Sequence, residues 1–203
     1  MSPGATFERV YHELKRMLTE GELPPGTPIE PALIGKQIAS SITPIRDALH
    51  RLTGERLVET PNHNGFRAPM PTEGSLRDLY DWNAHLIALA ARKIPKALTA
   101  TELSLAVFEE DPVAATADLF SEIVRSTGSA EHICAVRQLN DRLAPMRMIE
   151  AKVVEDTTQE YEAILQAFRR TDRKALTGEV VRYHGLRKRS VAAIISRIEE
   201  DER

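Results

Sequence analysis

Ser41-Ile42-Thr43-Pro44-Ile45-Arg46-Asp47-Ala48-Leu49-His50-Arg51-Leu52, followed by Asn62-His63-Asn64-Gly65-Phe66-Arg67, is the stretch whose reading decides the fold. Ile45, Ala48, Leu49 and Leu52 recur at i, i+3, i+4 and i+7. That spacing lays one apolar face along a helix and leaves Thr43, Arg46, Asp47, His50 and Arg51 off it. Pro44 suits a first helical turn, where a missing N–H costs nothing, and its ring pushes Thr43 toward a capping conformation. Further on, Asn64-Gly65 stands between two short β-prone segments, Leu57 to Thr60 and Phe66 to Ala68, which is a hairpin signal. A polar-faced helix followed by a β wing is an arrangement that reads duplex DNA.

Working outward, Phe7, Val10, Tyr11, Leu14 and Met17 make an earlier amphipathic helix that ends at Gly21. Leu23-Pro24-Pro25-Gly26 is a turn, Thr27 to Ile29 a short strand, and Pro31 opens a helix through Ile38 with Leu33 or Ile34 inward. A turn at Ala39-Ser40 leads into the polar-faced helix. The first 68 residues therefore read as a winged helix-turn-helix domain. Pro69 to Gly74 breaks both periodicities and reads as a linker, and residues 75–203 show no strand alternation. They show about six helical stretches, near 75–93, 100–109, 112–126, 130–152, 157–170 and 173–199. Asp111-Pro112 is an N-cap with a first-turn proline, and Pro145 should kink or split the fourth stretch. The fold class is thus mostly α, with a small β wing and a C-terminal all-helical bundle.

Composition bounds the function. Apolar residues make up 42% of the 203-residue chain, enough for two cores, while no run reaches the roughly eighteen apolar residues of a membrane helix. Met1 to Thr6 shows no basic or apolar signal segment. The single cysteine, Cys134, excludes an intrachain disulfide, suits a reducing cytoplasm and reads as a small buried hydrophobe. Net charge is −3, and residues 1–70 hold eight Lys/Arg against eight Asp/Glu. A nucleic-acid contact must therefore rest on where Arg46, Arg51 and Arg67 sit rather than on bulk charge.

Tyr11-His12-Glu13-Leu14-Lys15, Gly21-Glu22-Leu23-Pro24-Pro25-Gly26, Ser41 to Leu49, Leu52 and Leu57-Val58 together resemble the DNA-binding domain of GntR-type bacterial transcription regulators. The helical half, entered by Asp78-Leu79-Tyr80-Asp81 and Ala90-Ala91-Arg92, looks like the FCD-type ligand-binding domain of the FadR-like subgroup. The resemblance implies that Ser41, Thr43, Pro44, Arg46, His50 and Arg51 face the major groove. Arg46 would be bidentate to guanine and Ser41 on a phosphate. It also implies that the wing, His63, Asn64, Gly65 and Arg67, approaches the minor groove. Ile42 stands where the family often has arginine, and Pro31-Ala32 where it often has a charge.

Many such helical domains hold a divalent metal. Registered by Phe120, Ala163-Ile164-Leu165 and Asp172, this chain puts Ala117, Ser121, Tyr161 and Tyr183 at the ligand positions, none a good donor for such an ion. No cofactor is expected. A slip of one residue would bring in Asp118, Glu162 and His184 instead. Independently of the family, Asn83, Ser121, Tyr161 and Tyr183 lie on apolar stripes of four helices and can converge on a small organic effector, with His184 beside them. Arg125 or Arg137 could neutralise a carboxylate on it. His85 and His132 have no ligand spacing, and the basic run from Arg182 to Arg189 reads as the solvated face of the last helix.

These readings imply a repressor that binds a palindromic operator as a homodimer and is released or retuned by a small organic metabolite. Its partners would be double-stranded DNA, the effector and a second copy, with no membrane. The linker would absorb the reorientation. The rival of neutral charge is a winged helix used for protein contact or dimerisation. An enzyme is disfavoured, since no phosphate-cradling glycine loop, metal motif or nucleophile elbow is present.

Overall fold

The computed structural model describes residues 3–61, 65–97 and 103–201. It divides into two compact units, Met1–Pro71 and Thr72–Asp201.

In the first unit α1 (Pro3–Thr19) packs on α3 (Ile42–Gly54), with α2 (Pro31–Gln37) against the start of α3. Val10 and Leu14 of α1 meet Ile45, Ala48, Leu49 and Leu52 of α3, all fully buried, as the periodicity requires. The α2–α3 turn is tight. Ala39 takes φ 51°, and a Cβ on Gly35 would lie 2.8 Å from the Ser40 carbonyl oxygen and 3.3 Å from Ile45 Cδ1. Two sequence expectations shift here. The helix begins two residues earlier than expected, so Ser41 (φ −75°, ψ 162°) is the cap residue and Thr43 is already helical.

The wing is also built differently. β1 (Pro28–Ile29) runs antiparallel to β2 (Phe66–Arg67), pairing Ile29 with Phe66 and Pro28 with Arg67. The segment expected as the hairpin partner, 57–60, contributes one bridge, Glu59 to Arg67, with both backbone bonds at 2.9 Å. The reason is burial. Leu57 and Val58 are consecutive and both inside the core, whereas a strand sends neighbours to opposite faces.

The second unit holds α4 (Glu73–Ala91), α5 (Leu105–Glu110), α6 (Pro112–Arg125), α7 (Ala130–Val153), α8 (Thr157–Arg169) and α9 (Arg173–Asp201). Caps set their starts. Thr72 Oγ1 accepts from the Ser75 N–H and Ser75 Oγ accepts from the Thr72 N–H, so Glu73-Gly74, read as linker, is the first turn of α4. Asp111 Oδ1 accepts from the Val113 and Ala114 amides, as its place before Pro112 suggested. The 29 residues of α9 pack most extensively on α4. Pro145 does not split α7, which runs unbroken through it. Leu143, Ala144, Met146 and Arg147 around it are buried, and that burial outweighs the few kcal/mol an interior proline costs a helix. Cys134, expected inside, is exposed on α7.

Candidate nucleic-acid interface and bundle cavity

On α3 the residues off the core face form an outward stripe. Ser41, Ile42, Thr43, Arg46 and His50 are exposed, and Arg46 makes no ion pair or hydrogen bond with any described residue. Arg46, His50 and Thr53, spaced i, i+4 and i+7, line a groove of about 450 Å3 with Pro31, Thr60, Gly65 and Phe66. The His50 ring stands edge-on to Phe66 at 5.1 Å and so ties the helix to the wing. Gly65 has φ 75°, with open space where a Cβ would be, and Arg67 is exposed beside it. Pro44 is half-buried in the first turn. His63 and Asn64 lie outside the described residues.

Arg51 does not join this surface. It lies five residues from Arg46, about 140° around a helix of 3.6 residues per turn. Its guanidinium sits 4.0 Å from the Tyr11 ring centroid and pairs with Glu8 at 3.2 Å and Glu55 at 3.5 Å. It is a structural contact to α1, and the proposed reading surface loses one of its cations.

In the second unit the buried charged groups fall into two networks. Arg187 donates Nε–H to Glu150 (2.9 Å) and Nη1–H to Glu160, and its guanidinium lies 3.5 Å from the Tyr183 ring centroid. Tyr80 Oη–H donates to the other Glu150 oxygen at 2.6 Å. All three charged side chains are at most 5% exposed. Burial alone would lower the pKa of Arg187, but Tyr183, Glu150 and Glu160 raise it, so it stays charged. The second network starts at Arg147, which donates Nη2–H to Asn140 Oδ1 at 3.0 Å. The Asn140 amide donates to the Ala117 carbonyl and to Ser121 Oγ.

Between these networks lies a cavity enclosing about 30 Å3, room for one or two waters. Arg147, Glu150, Tyr161, Tyr183 and Arg187 supply its polar wall, and Phe108, Leu119, Phe120 and Ile164 its apolar one. Exposed Pro112 and Ala151 and half-buried Thr157 form the rim. Tyr161 Oη and Arg147 Nη1 are buried in it with no hydrogen-bond partner among the described residues. Burial raises the pKa of both Tyr161 and Tyr183, so each stays a neutral phenol.

Of the six residues expected to hold an effector, Tyr161 and Tyr183 line this cavity. Asn83 and His184 are buried with unbonded polar atoms but sit outside its wall. Burial depresses His184 to about 3, and its Nδ1 lies 2.8 Å from the Val180 carbonyl oxygen. Ser121 is spent on Ala117 and Asn140. Arg125 is on the surface, paired with Glu122, because it closes the exposed end of α6. Arg187, read as part of a solvated face, is interior instead. It falls on the stripe Val180, Tyr183, Arg187, Val191, Ile194, and its spacing was the signal that its charge hid. Arg147 and Glu150 were missed for the same reason on α7. Among the described residues no three His, Cys, Asp or Glu side chains gather to hold a metal. Asp118 and Glu162, the alternative ligands, are both exposed.

The geometry is that of a winged-helix unit with an exposed arginine on α3, joined in sequence to a helical bundle. Residues 6–68 match the family model described as bacterial regulatory proteins, gntR family. The HTH-type transcriptional repressor GlaR of Escherichia coli is 32% identical over 79 residues, covering 39% of this chain and 36% of that protein. The Nta operon transcriptional regulator of Aminobacter aminovorans is 35% identical over 81 residues, covering 40% and 39%. The chain thus matches less than half the length of these relatives. Over nearly the whole chain the fold is that of a GntR transcriptional regulator from Rhodococcus sp. RHA1, with TM-score 0.81 and 15% identity, covering 93% of this chain and 98% of that one. McbR/YncC of E. coli follows with TM-score 0.70, 18% identity and coverage of 93% and 97%. Among the described residues no helix is long and apolar enough to cross a membrane.

Proposed function

We propose that this chain is a ligand-responsive repressor that binds a palindromic operator as a homodimer, in the cytoplasm, and is released by a small organic metabolite. The observation that carries the DNA reading is Arg46, exposed and without a partner among the described residues, in the groove between α3 and the wing. A guanidinium held free on a helix of this kind can make two hydrogen bonds to a guanine edge. Ser41 and Thr43 at the helix start would hold phosphate, and Gly65 and Arg67 would follow the minor groove. Two copies would place two such helices one DNA turn apart.

The second unit is, on this reading, an FCD-type effector and dimerisation domain of the FadR-like subgroup. Its cavity with two unbonded polar groups supports the effector part. Effector binding would act by preferring one of the arrangements in which the domain holds or loses DNA. Recognition proceeds without a divalent ion. Ala117 has no donor, Ser121 is already bonded, and both tyrosines are held as neutral phenols. Elemental analysis of the purified protein should find no stoichiometric divalent metal, and one ion per chain would overturn this.

Selection from random duplexes, then fluorescence anisotropy at two salt concentrations, tests the DNA reading. Tight, sequence-dependent and salt-sensitive binding that Arg46→Ala abolishes is the expected result. Equal weak binding to selected and scrambled duplexes would instead favour a winged helix used for protein contact.

A further inference from the structure

Among the described residues of the first unit, the large apolar side chains left in solvent are Leu33 on α2 and Ile42 on α3, the latter 49% exposed. Ile42 is set apart by its place. It is the first helical residue of α3, and Ile42, Arg46, His50 and Thr53 follow one another at i, i+4, i+8 and i+11, a single stripe along the helix. The last three line the groove between α3 and the wing. Ile42 therefore extends that stripe by one turn toward the helix start, the end that reaches base edges in helices of this kind. The folded unit has no use for it. The inner face of α3 is supplied by Ile45, Ala48, Leu49 and Leu52, and Ile42 lies outside that core. Isoleucine is also a poorer helix former than the straight-chain residues, so local propensity does not favour it here.

We propose that Ile42 reads a thymine, packing on its C5-methyl group in the major groove about one or two base pairs from the guanine read by Arg46. This rests on the DNA reading above and adds a second base to it. Isoleucine has no hydrogen-bonding group, so it can hold neither a phosphate oxygen nor the acceptor edge of guanine. The apolar group that a base presents in the major groove is the thymine methyl. Pressed against the other base edges, Ile42 would strip water from polar groups without replacing their hydrogen bonds, which costs free energy. One contact thus favours thymine and disfavours its competitors. Branching at Cβ confines the side chain to essentially one χ1 rotamer in a helix, so little freedom is lost on docking. The spacing follows from the backbone. Four residues rising about 1.5 Å each separate Ile42 from Arg46 by about 6 Å along the axis, against about 3.4 Å per base pair.

The test uses the full chain and the duplex selected from random sequence. Each thymine is replaced by deoxyuridine, in both half-sites together, which removes the methyl group and keeps every hydrogen bond; affinity is read by fluorescence anisotropy. At one thymine position per half-site, near the guanine whose identity Arg46→Ala no longer registers, the parent should lose about fourfold per methyl removed. Ile42→Ala should bind the thymine and deoxyuridine duplexes equally, and Ile42→Val should keep the preference. Circular dichroism establishes that both variants are folded, as the exposure of Ile42 leads one to expect. A selected site without thymine at that distance would overturn the contact. So would indifference of the parent to deoxyuridine at every position, or a thymine preference that survives Ile42→Ala. In each of these cases binding that still depends on Arg46 keeps the DNA reading. Absence of any sequence-dependent binding would overturn both.

Discussion

Replacing Arg187 with methionine tests whether the interior ion network is structural and how it is held. The substitution keeps much of the apolar stem but strands Glu150 and Glu160, whose side chains are 3% and 5% exposed. Breaking a buried ion pair by removing one partner costs about 3–5 kcal/mol. Glu150 keeps its bond from Tyr80. The expected loss at pH 7 is about 3–5 kcal/mol. Urea unfolding followed by circular dichroism measures it, as the difference between variant and parent at the same pH. A deficit under about 1 kcal/mol would refute the reasoning.

Three further outcomes are expected. His184 is held neutral with a pKa near 3 by burial, so the unfolded chain takes up a proton below about pH 6.5 that the folded chain refuses. Stability falls from pH 6.5 toward 3, by about 2 kcal/mol at pH 5. His184→Phe should flatten that part of the profile, and an unchanged slope in urea melts would show that other groups set it. Gly35→Ala drives a methyl onto the Ser40 carbonyl at 2.8 Å and should cost about 1–3 kcal/mol, read as a lower melting temperature of the winged-helix unit. Arg51→Ala should cost about 1 kcal/mol through its lost contacts with Tyr11 and Glu8 while leaving operator affinity nearly intact; Arg46→Ala should do the reverse. Equal losses of DNA binding in the two would return Arg51 to the reading surface.

Periodicity and caps are local, and whatever depended on them alone was legible in the chain. The apolar spacing of α1 and α3, Asp111-Pro112 at the head of α6 and the breaks between the later helices stand where the sequence puts them. So does the outward placement of Arg46 and His50. Side chains whose type misleads were not legible. Charged residues are almost always at the surface, so Arg147, Glu150, Glu160 and Arg187 were passed over although each lies on an apolar stripe. Only mutual pairing across α7, α8 and α9 makes their burial tolerable, and pairing between distant segments is invisible to spacing. The same holds for the wing, where the core claims Leu57 and Val58 together and leaves Glu59 as the single bridge. By itself the sequence determined a winged helix joined to a helical bundle, because helix and turn signals act within a few residues. The tertiary structure decided which polar groups meet, and left Arg147 and Tyr161 facing a cavity without partners, because that depends on packing between helices far apart in the chain.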